Sequence, residues 1–336
     1  EQMRRALRTP FNFGDQDVTL TASIGITIFD NGEANAQEVL RDAELAMYYA
    51  KRLGGDRIEA YRASARSIAA YAQASEKDLE RAMNEGELQV HYQPIYDIHS
   101  DRIMGAEALM RWNHPSKGAI APSEFVPLAE RSGLIEKLGR LALRQAVNQT
   151  SDWISTFPLD EAFFVSINLS TSQLSTQSLL NDLQTMVTEN PSLPKHLKLE
   201  VTESQVMINP EHAAFVLSAL RELGVGLALD DFGTGHSSLS YLHRFPFDTV
   251  KIPAQFVQMS DNSGMAHTQA PIMRAIISLA NELGLAVIAE GVESADELQR
   301  LRDLDCQMAQ GYVFDPAMSG NEMNRKLAAQ FSNNRP

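Results

Sequence analysis

The sequence predicts an α/β chain whose larger part is a (β/α) barrel, and three observations carry that prediction. Short apolar runs recur from residue 164 onward, and each stops on a polar or charged residue: FVSIN at Asn168, LKLE at Glu200, LALDD at Asp231, TVK at Lys251 and AVIAE at Glu290. The stops at Asn168, Glu200 and Asp230 are spaced by about 30 residues, the length of one βα unit, with helical patterns between them. The runs are apolar throughout rather than alternating, as strands buried on both faces of a parallel sheet are. A doubly wound open sheet shares these traits. The polar strand ends are more numerous than a single switch point needs, which favours closure, because barrels gather their chemistry at the carboxyl-terminal rim.

Ahead of the barrel the pattern differs. Residues 18–29, VTLTASIGITIF, read as one strand or a bent pair ending at the turn DNGE. AQEVLRDAELAMYYAKRLGG follows, with apolar residues at Val39, Leu40, Ala43, Ala46, Met47 and Ala50 and a stop at Gly54 and Gly55, an amphipathic helix with a glycine terminator. Residues 62–75 are rich in Ala and Ser and read as a helical linker. A helix is expected from the capping-box-like Ser-Glu-Lys-Asp at Ser75 to Gly86, then a strand in LQVHYQPI. Asn209 and Pro210 open a helix ending near Gly224, and Ser294 with Glu297 forms a capping box for another. The resulting boundaries are a partial domain over 1–61, the linker over 62–75, the barrel over 76–330 and a tail over 331–336.

Composition narrows the function classes. With 336 residues, 44% hydrophobic and 21% charged, the chain has the make-up of a globular protein. No apolar stretch approaches the roughly 20 residues that span a bilayer, and EQMRRALRTP does not read as a secretory signal, so a cytoplasmic location is expected. The chain lacks an initiator Met and opens inside an element. It therefore reads as a fragment, whose missing part could carry membrane segments. The single Cys306 excludes a disulfide framework and reads as a buried small hydrophobe. A formal charge of −14 argues against a nucleic-acid polymer as partner and leaves room for a small anion accompanied by divalent cations.

The polar strand ends gather one type of ligand: Glu107 at the end of RIMGAEAL, Asn168, Glu200, Asp230, Asp231 and Glu290, with Lys251 among them. Oxygen donors without His or Cys suit Mg²⁺ or Mn²⁺ rather than zinc. Two cations sharing a carboxylate would relieve the repulsion between Asp230 and Asp231 and are a known device for attack on a phosphodiester. Singly, each residue has a plainer reading. Asn168 could cap the next helix, Lys251 could be a surface lysine, and Asp231-Phe-Gly-Thr-Gly could be an Asx-type turn. Arg111 and Trp112 could be simple packing, with a cation over the indole. His236 reads as loop packing and Met308 as core filler.

Seven motifs, in order, resemble one family: EALMRW (107–112), SINLS (166–170), LEVTES (199–204), LDDFGTGHSSLSYL (229–242), VKI (250–252), AEGVE (289–293) and QGY (310–312). The stretch 76–330 is similar to the EAL-type cyclic-di-GMP phosphodiesterases. Residues 18–61, ending MYYAKRLGGDRIEAY, resemble the carboxyl-terminal half of a GGDEF diguanylate cyclase domain, whose signature loop would lie upstream of residue 1. The resemblance implies a (β/α)8 TIM-like barrel preceded by a partial α+β GGDEF-like domain, cleaving cyclic-di-GMP to linear pGpG with two Mg²⁺ or Mn²⁺ ions. It implies that Glu107, Asn168, Glu200 and Asp230 hold one metal, and that Asp230 and Asp231 hold the second with Glu290 close by. Lys251 would bind or help activate water, and Glu203 would tether the loop 232–238. Gln93, Leu109 and Arg111 would contact the dinucleotide, and Gln310 would complete the pocket wall. A homodimer through the barrel is a further family expectation.

The sequence departs from the family at two points. The family usually has Lys-Ile-Asp where this chain has Lys251-Ile252-Pro253, removing a carboxylate that strand alternation would turn toward the site. In Phe314-Asp315-Pro316 the proline falls one position early, near the base-binding rim. Three readings therefore stand: a metal-dependent phosphodiesterase slowed by Pro253, a catalytically silent cyclic-di-GMP receptor, and a barrel enzyme of another class, enolase-like or a Schiff-base aldolase.

Overall fold

The structure, a computed structural model, describes residues 11–13, 16–18, 21–27, 39, 43, 46–47, 58–60, 76–234, 244–258 and 266–332. The chain divides into two compact units, Glu1–Ser75 and Glu76–Pro336. In the first, β1 (Phe11–Phe13) and β2 (Gln16–Val18) form an antiparallel pair, and β3 (Ile24–Ile26) pairs in parallel with β4 (Ile58–Ala60). Of the two expectations for 18–29, one strand or a bent pair, a single strand does not form: Val18 ends β2 and Ile24 begins β3. Val39, Ala43, Ala46 and Met47 are helical. Gly25 lets this helix lie directly on β3, since a Cβ there would stand 2.0 Å from the Ala43 carbonyl oxygen. The expected linker, 62–75, lies outside the described residues.

The second unit begins with the helix Glu76–Glu85 and continues into β5 (Leu88–Asp97) and β6 (Arg102–His114). The strands that follow are β7 (Gly118–Ile120), β8 (Phe164–Asn168), β9 (Leu197–Thr202), β10 (Gly226–Asp230), β11 (Thr249–Ile252), β12 (Ala286–Ala289) and β13 (Met308–Ala309). Their order is β5-β13-β12-β11-β10-β9-β8-β6-β7, and an additional β5–β6 pairing seals the ring, so eight strands close into a barrel with β7 on its outside edge. β6 and β8 to β13 run parallel to one another and the edge strand β7 antiparallel to β6, whereas β5 runs antiparallel to both β6 and β13. That reversal departs from a strict (β/α)8 ring and has a local cause. Only a short turn separates β5 from β6, and a parallel pair would need a crossover of a dozen or more residues.

Helices cover the outside. Asn209 accepts from the His212 backbone N–H and starts Pro210–Glu222, and Ser294 with Glu297 makes a reciprocal cap on Ala295–Asp303. The final helix, Gly320–Ser332, continues past residue 330. Strand residues on the outer face, among them Ala106, Ala108, Val165, Ile167, Leu199, Leu227, Val250, Val287 and Ala309, join Leu183, Leu217 and Leu220 in one apolar core. Alternate residues point inward. The runs that read as uniformly apolar are therefore two-sided, and the inner face carries Ser166, Glu200, Lys251 and Gln310, all buried. Toward the amino-terminal end of the barrel the interior is plugged by Ile95, Phe164 and Ile288 with Met308 packed on them. Below that plug Asp248 ties the base: it pairs with Lys198 and with Arg221, accepts from Thr249 Oγ1 at 2.7 Å and from the Leu227 N–H at 3.1 Å. Lys198 in turn lies 4.8 Å over the Phe164 ring.

Candidate active site

The inward alternation of seven strands brings the predicted residues to one end of the barrel. Glu107 is mid-strand in β6 rather than at a strand end, because β6 runs on beyond the barrel to pair with β5 and β7. Only 105–108 of it are bonded to β8, so Glu107 is near the top of the part that belongs to the ring. Asn168 ends β8 and is in register with Glu200 on β9, and Asp230 ends β10. Glu290 follows β12 directly, and Gln310 follows β13.

Lys251 organises this cluster. It is fully buried, 0% exposed, and its Nζ donates to Glu200 Oε2 at 2.8 Å while pairing with Glu290 Oε1 at 2.6 Å and Glu107 Oε2 at 3.1 Å. The surface-lysine reading is therefore wrong. Burial alone would strip the proton from such an amine, but the charges of Glu107, Glu200, Glu290 and Asp230 outweigh it and hold the ammonium well above its ordinary range. A Schiff-base lysine has to be neutral to attack a carbonyl, so this environment speaks against the aldolase reading. Asn168 Nδ2 donates to Glu107 Oε1 at 2.8 Å, and Gln310 Nε2 donates to Glu107 Oε2 at 2.5 Å and Glu290 Oε1 at 3.2 Å. Asn168 is not a helix cap, since Ser170 caps the helix Thr171–Leu174.

One lysine cannot balance this many carboxylates, and the protonation equilibria register the deficit. Burial, against the Lys251 attraction, pushes Glu200 up to about 8, helped by the charges of Glu107, Asp230 and Glu290. Burial likewise raises Glu290 to about 7, again against Lys251. Glu107 is the exception: burial pulls it up, but Lys251 and the hydrogen bonds from Gln310 and Asn168 hold it below the usual carboxylate range. Asp231 adopts φ of 54°, the left-handed turn that follows β10, and its backbone N–H donates to Asp230 Oδ1 at 2.8 Å. Desolvation and the adjacent Asp230 raise its carboxyl, with Lys251 opposing.

Glu200 Oε1 is buried without a hydrogen-bond partner, as are Gln310 Oε1 and Ser166 Oγ. An orphaned carboxylate oxygen in an all-oxygen donor set with excess negative charge fits a hard divalent cation. Among the described residues no three carboxylate, His or Cys side chains already surround one metal position, because Glu107, Glu200 and Glu290 close on Lys251 instead.

The expected substrate-contacting residues line the approach. Gln93 on β5 is opposite Glu107, which puts them on one face, and Leu109 and Arg111 continue that face of β6 outward. All three are partly exposed. Trp112 faces the other way, buried, with Nε1 donating to Glu87 at 3.0 Å and its ring edge-on to Phe125. No cation stacks on it among the described contacts. Glu203 opens the helix Glu203–Ile208; the loop it was expected to tether is described only as far as Thr234, and His236 lies outside the described residues. Cys306 is buried as expected, with its thiol pushed up to about 12 by burial. Pro253 occupies the N-cap of the helix Ala254–Val257, where its ring supplies no capping acceptor. Sequence reasoning missed the group next to Gln93, in which Tyr96, Asp315 and Lys326 meet. The displaced proline after Asp315 was the available signal.

Fold and site together define a TIM-like barrel with one reversed strand and a lysine-centred acidic mouth. Comparison with known proteins assigns the family. Residues 76–317 match the EAL domain, and residues 1–57 match the diguanylate cyclase GGDEF domain. The chain belongs to the EAL domain family, with part of a GGDEF domain ahead of it. The cyclic di-GMP phosphodiesterase NbdA of Pseudomonas aeruginosa is 33% identical over 316 residues, covering 94% of this chain and 40% of that protein. MucR of the same organism, described as a bifunctional diguanylate cyclase and cyclic di-GMP phosphodiesterase, is 33% identical over 330 residues, 98% of this chain and 47% of MucR. The chain thus spans under half the length of these two relatives. A solved structure of the MucR phosphodiesterase in complex with c-di-GMP superposes with a TM-score of 0.69 at 35% identity, covering 74% of this chain and 98% of that one. The EAL enzyme Bd1971 in its cAMP-bound form gives 0.69 at 28% identity over 88% of this chain and 76% of that chain. Among the described residues no helix is long and apolar enough to cross a membrane.

Proposed function

We propose that the barrel hydrolyses cyclic-di-GMP to linear pGpG with the help of divalent cations. The observation that carries this reading is the mouth itself: a fully buried Lys251 shared by Glu107, Glu200 and Glu290, beside an unpartnered Glu200 oxygen. The named activity of NbdA and the ligand of the MucR complex support the substrate. Glu107, Asn168, Glu200 and Asp230 would hold one Mg²⁺ or Mn²⁺, and Asp230 with Asp231 a second. When bound, the cations supply Lewis acidity to the water and to the phosphoryl oxygens.

The chain's own groups do the rest. Gln310 and Asn168 fix the Glu107 carboxylate, and Lys251 keeps Glu200 and Glu290 turned inward. Glu290, at the mouth with Oε1 2.6 Å from Lys251 Nζ, is suited to receive a proton from the attacking water. The ammonium of Lys251 orients that water and offsets charge growing at the reacting phosphate. Gln93, Leu109 and Arg111 seat the dinucleotide, Arg111 through its planar fork. Glu203 fixes the loop after Asp231. The chain works in the cytoplasm and pairs with a second copy through the barrel.

A second reading is a receptor that binds cyclic-di-GMP without turning it over, and Pro253 favours it. The family's carboxylate is missing there, and losses in the supporting shell of a metal site commonly cost about 10- to 100-fold. Incubation of the purified chain with cyclic-di-GMP and Mn²⁺ separates the two. Appearance of pGpG supports the enzyme; binding with no product over hours overturns it in favour of the receptor.

A further inference from the structure

Resting on the proposed function, we infer that Asp315 is a positioning residue for nucleotide binding: it locks the rim segment after β13 against β5 and so presents Gln93 to the guanine side of the ligand. Two elements distant in the chain, β5 and the last helix, converge on this aspartate, whose side chain is 13% exposed. Tyr96 of β5 donates its hydroxyl to Asp315 Oδ2 at 2.6 Å, and Lys326 of the last helix reaches Oδ1 at 2.6 Å and Oδ2 at 2.7 Å. The preceding residue, Phe314, stacks on the Tyr96 ring with centroids 4.6 Å apart and planes 11° from parallel. The backbone carbonyl of Asp315 accepts from Gln93 Nε2 at 3.3 Å.

The segment is anchored elsewhere as well. The N–H groups of Phe314 and Asp315 both donate to the Gly311 carbonyl at 3.1 Å, and the Val313 N–H donates to Val292 at 3.0 Å. Gly311 packs so closely on the Val292 backbone that a Cβ would stand 2.1 Å from its carbonyl oxygen. A turn held at its ends and clamped at Asp315 has little freedom. Gln93 shares a strand face with Glu107, so an amide fixed through its N–H side is presented beside the acidic mouth with its carbonyl as acceptor. Guanine carries donors at N1 and at its amino group, which that acceptor matches. Asp315 reaches no reacting atom and touches none of the metal-ligand candidates. Its effect is therefore expected in ligand affinity rather than in the chemical step.

The test uses the full chain with Asp315→Ala, Asp315→Asn and Tyr96→Phe. Calorimetric titration of cyclic-di-GMP, with Ca²⁺ filling the oxygen sites in place of Mg²⁺ or Mn²⁺, should show affinity weakened about tenfold in Asp315→Ala. Asp315→Asn, which keeps an acceptor for Tyr96, should recover part of it. Steady-state assays should place the loss in KM, with kcat within about twofold and hydrolysis of bis(p-nitrophenyl) phosphate, a diester without bases, unchanged. Equal affinity in wild type and Asp315→Ala overturns the inference, as does a parallel loss of hydrolysis of the base-free diester, which would mark a merely structural role. Tyr96→Phe keeps the stacked ring and decides the matter if Asp315→Ala fails to fold. A wild-type chain that binds no cyclic-di-GMP removes the proposed function itself, and that result is distinct from both.

Discussion

Replacing Lys251 by Met tests the electrostatic account of the mouth most directly. Three carboxylate contacts at 2.6, 2.8 and 3.1 Å from Nζ are each worth about 5–6 kcal/mol of attraction at an effective dielectric of about 20. Desolvation of the ammonium and of the carboxylates cancels much of that sum. Removing one member of a buried ion group leaves the others uncompensated, and the net loss is about 3–5 kcal/mol. For a unit of this size about 1 kcal/mol moves Tm by roughly 2–4 °C, so Lys251→Met should melt about 6–20 °C below wild type. The assay is thermal melting followed by circular dichroism in EDTA at pH 8, where Glu200 and Glu290 are forced toward ionisation. Saturating Mn²⁺ should restore more of the loss in the variant than it adds to wild type, because cations then supply the missing positive charge. A variant melting within about 2 °C of wild type in EDTA would refute the claim that Lys251 holds the carboxylates together.

Further outcomes follow from the same geometry. In chelator, wild-type stability should fall as pH rises from about 4.5 to 8: the folded state keeps protons on Glu200, raised to about 8, and on Glu290, raised to about 7, after the unfolded chain has released them. Glu107, held low, acts below that window, and urea midpoints across pH for wild type and Glu200→Gln should show the variant with the flatter profile. Gly311→Ala forces a Cβ against the Val292 backbone and should cost about 1–3 kcal/mol in urea unfolding. Pro253→Asp restores both a carboxylate and an N-cap acceptor for Ala254–Val257. It should raise cyclic-di-GMP turnover at least tenfold, read as pGpG formed per enzyme, and stabilise by about 0.5–2 kcal/mol; unchanged turnover would show that Pro253 is not what limits the rate.

What the sequence made legible was local. The cap at Asn209, the reciprocal pair of Ser294 and Glu297, and the strand ends at Asn168 and Asp230 depend on residues a few positions apart, and the structure has them where the pattern put them, whereas β9 runs past Glu200 to Thr202. Strand direction was less accessible. β5 and β13 are far apart in the chain, and no periodicity in LQVHYQPI announces that it runs against its neighbours. Glu107 was read as a strand end because the extension of β6 beyond the ring depends on its pairing with β5 and β7. The carboxylates were recognised as a group with excess charge, but the role of Lys251 as their shared counterion required distances, since its partners come from three other strands. The contacts of Asp315 with Gln93 and Tyr96 span 222 and 219 residues and leave only the displaced proline as a trace.

The reversed first strand has a consequence for how the ring assembles. β5 bonds on one side to its own hairpin partner and on the other to β13, so the last seam joins segments from opposite ends of the barrel unit. The hairpin can form early, since its loop is short, while the opposite edge of β5 must wait for residues more than two hundred positions later. Until then its amide edge is an open template for a strand from another molecule. A polypeptide truncated before Met308 would keep most of its helices yet present that unpaired border permanently, and its characteristic failure would be association rather than simple loss of structure.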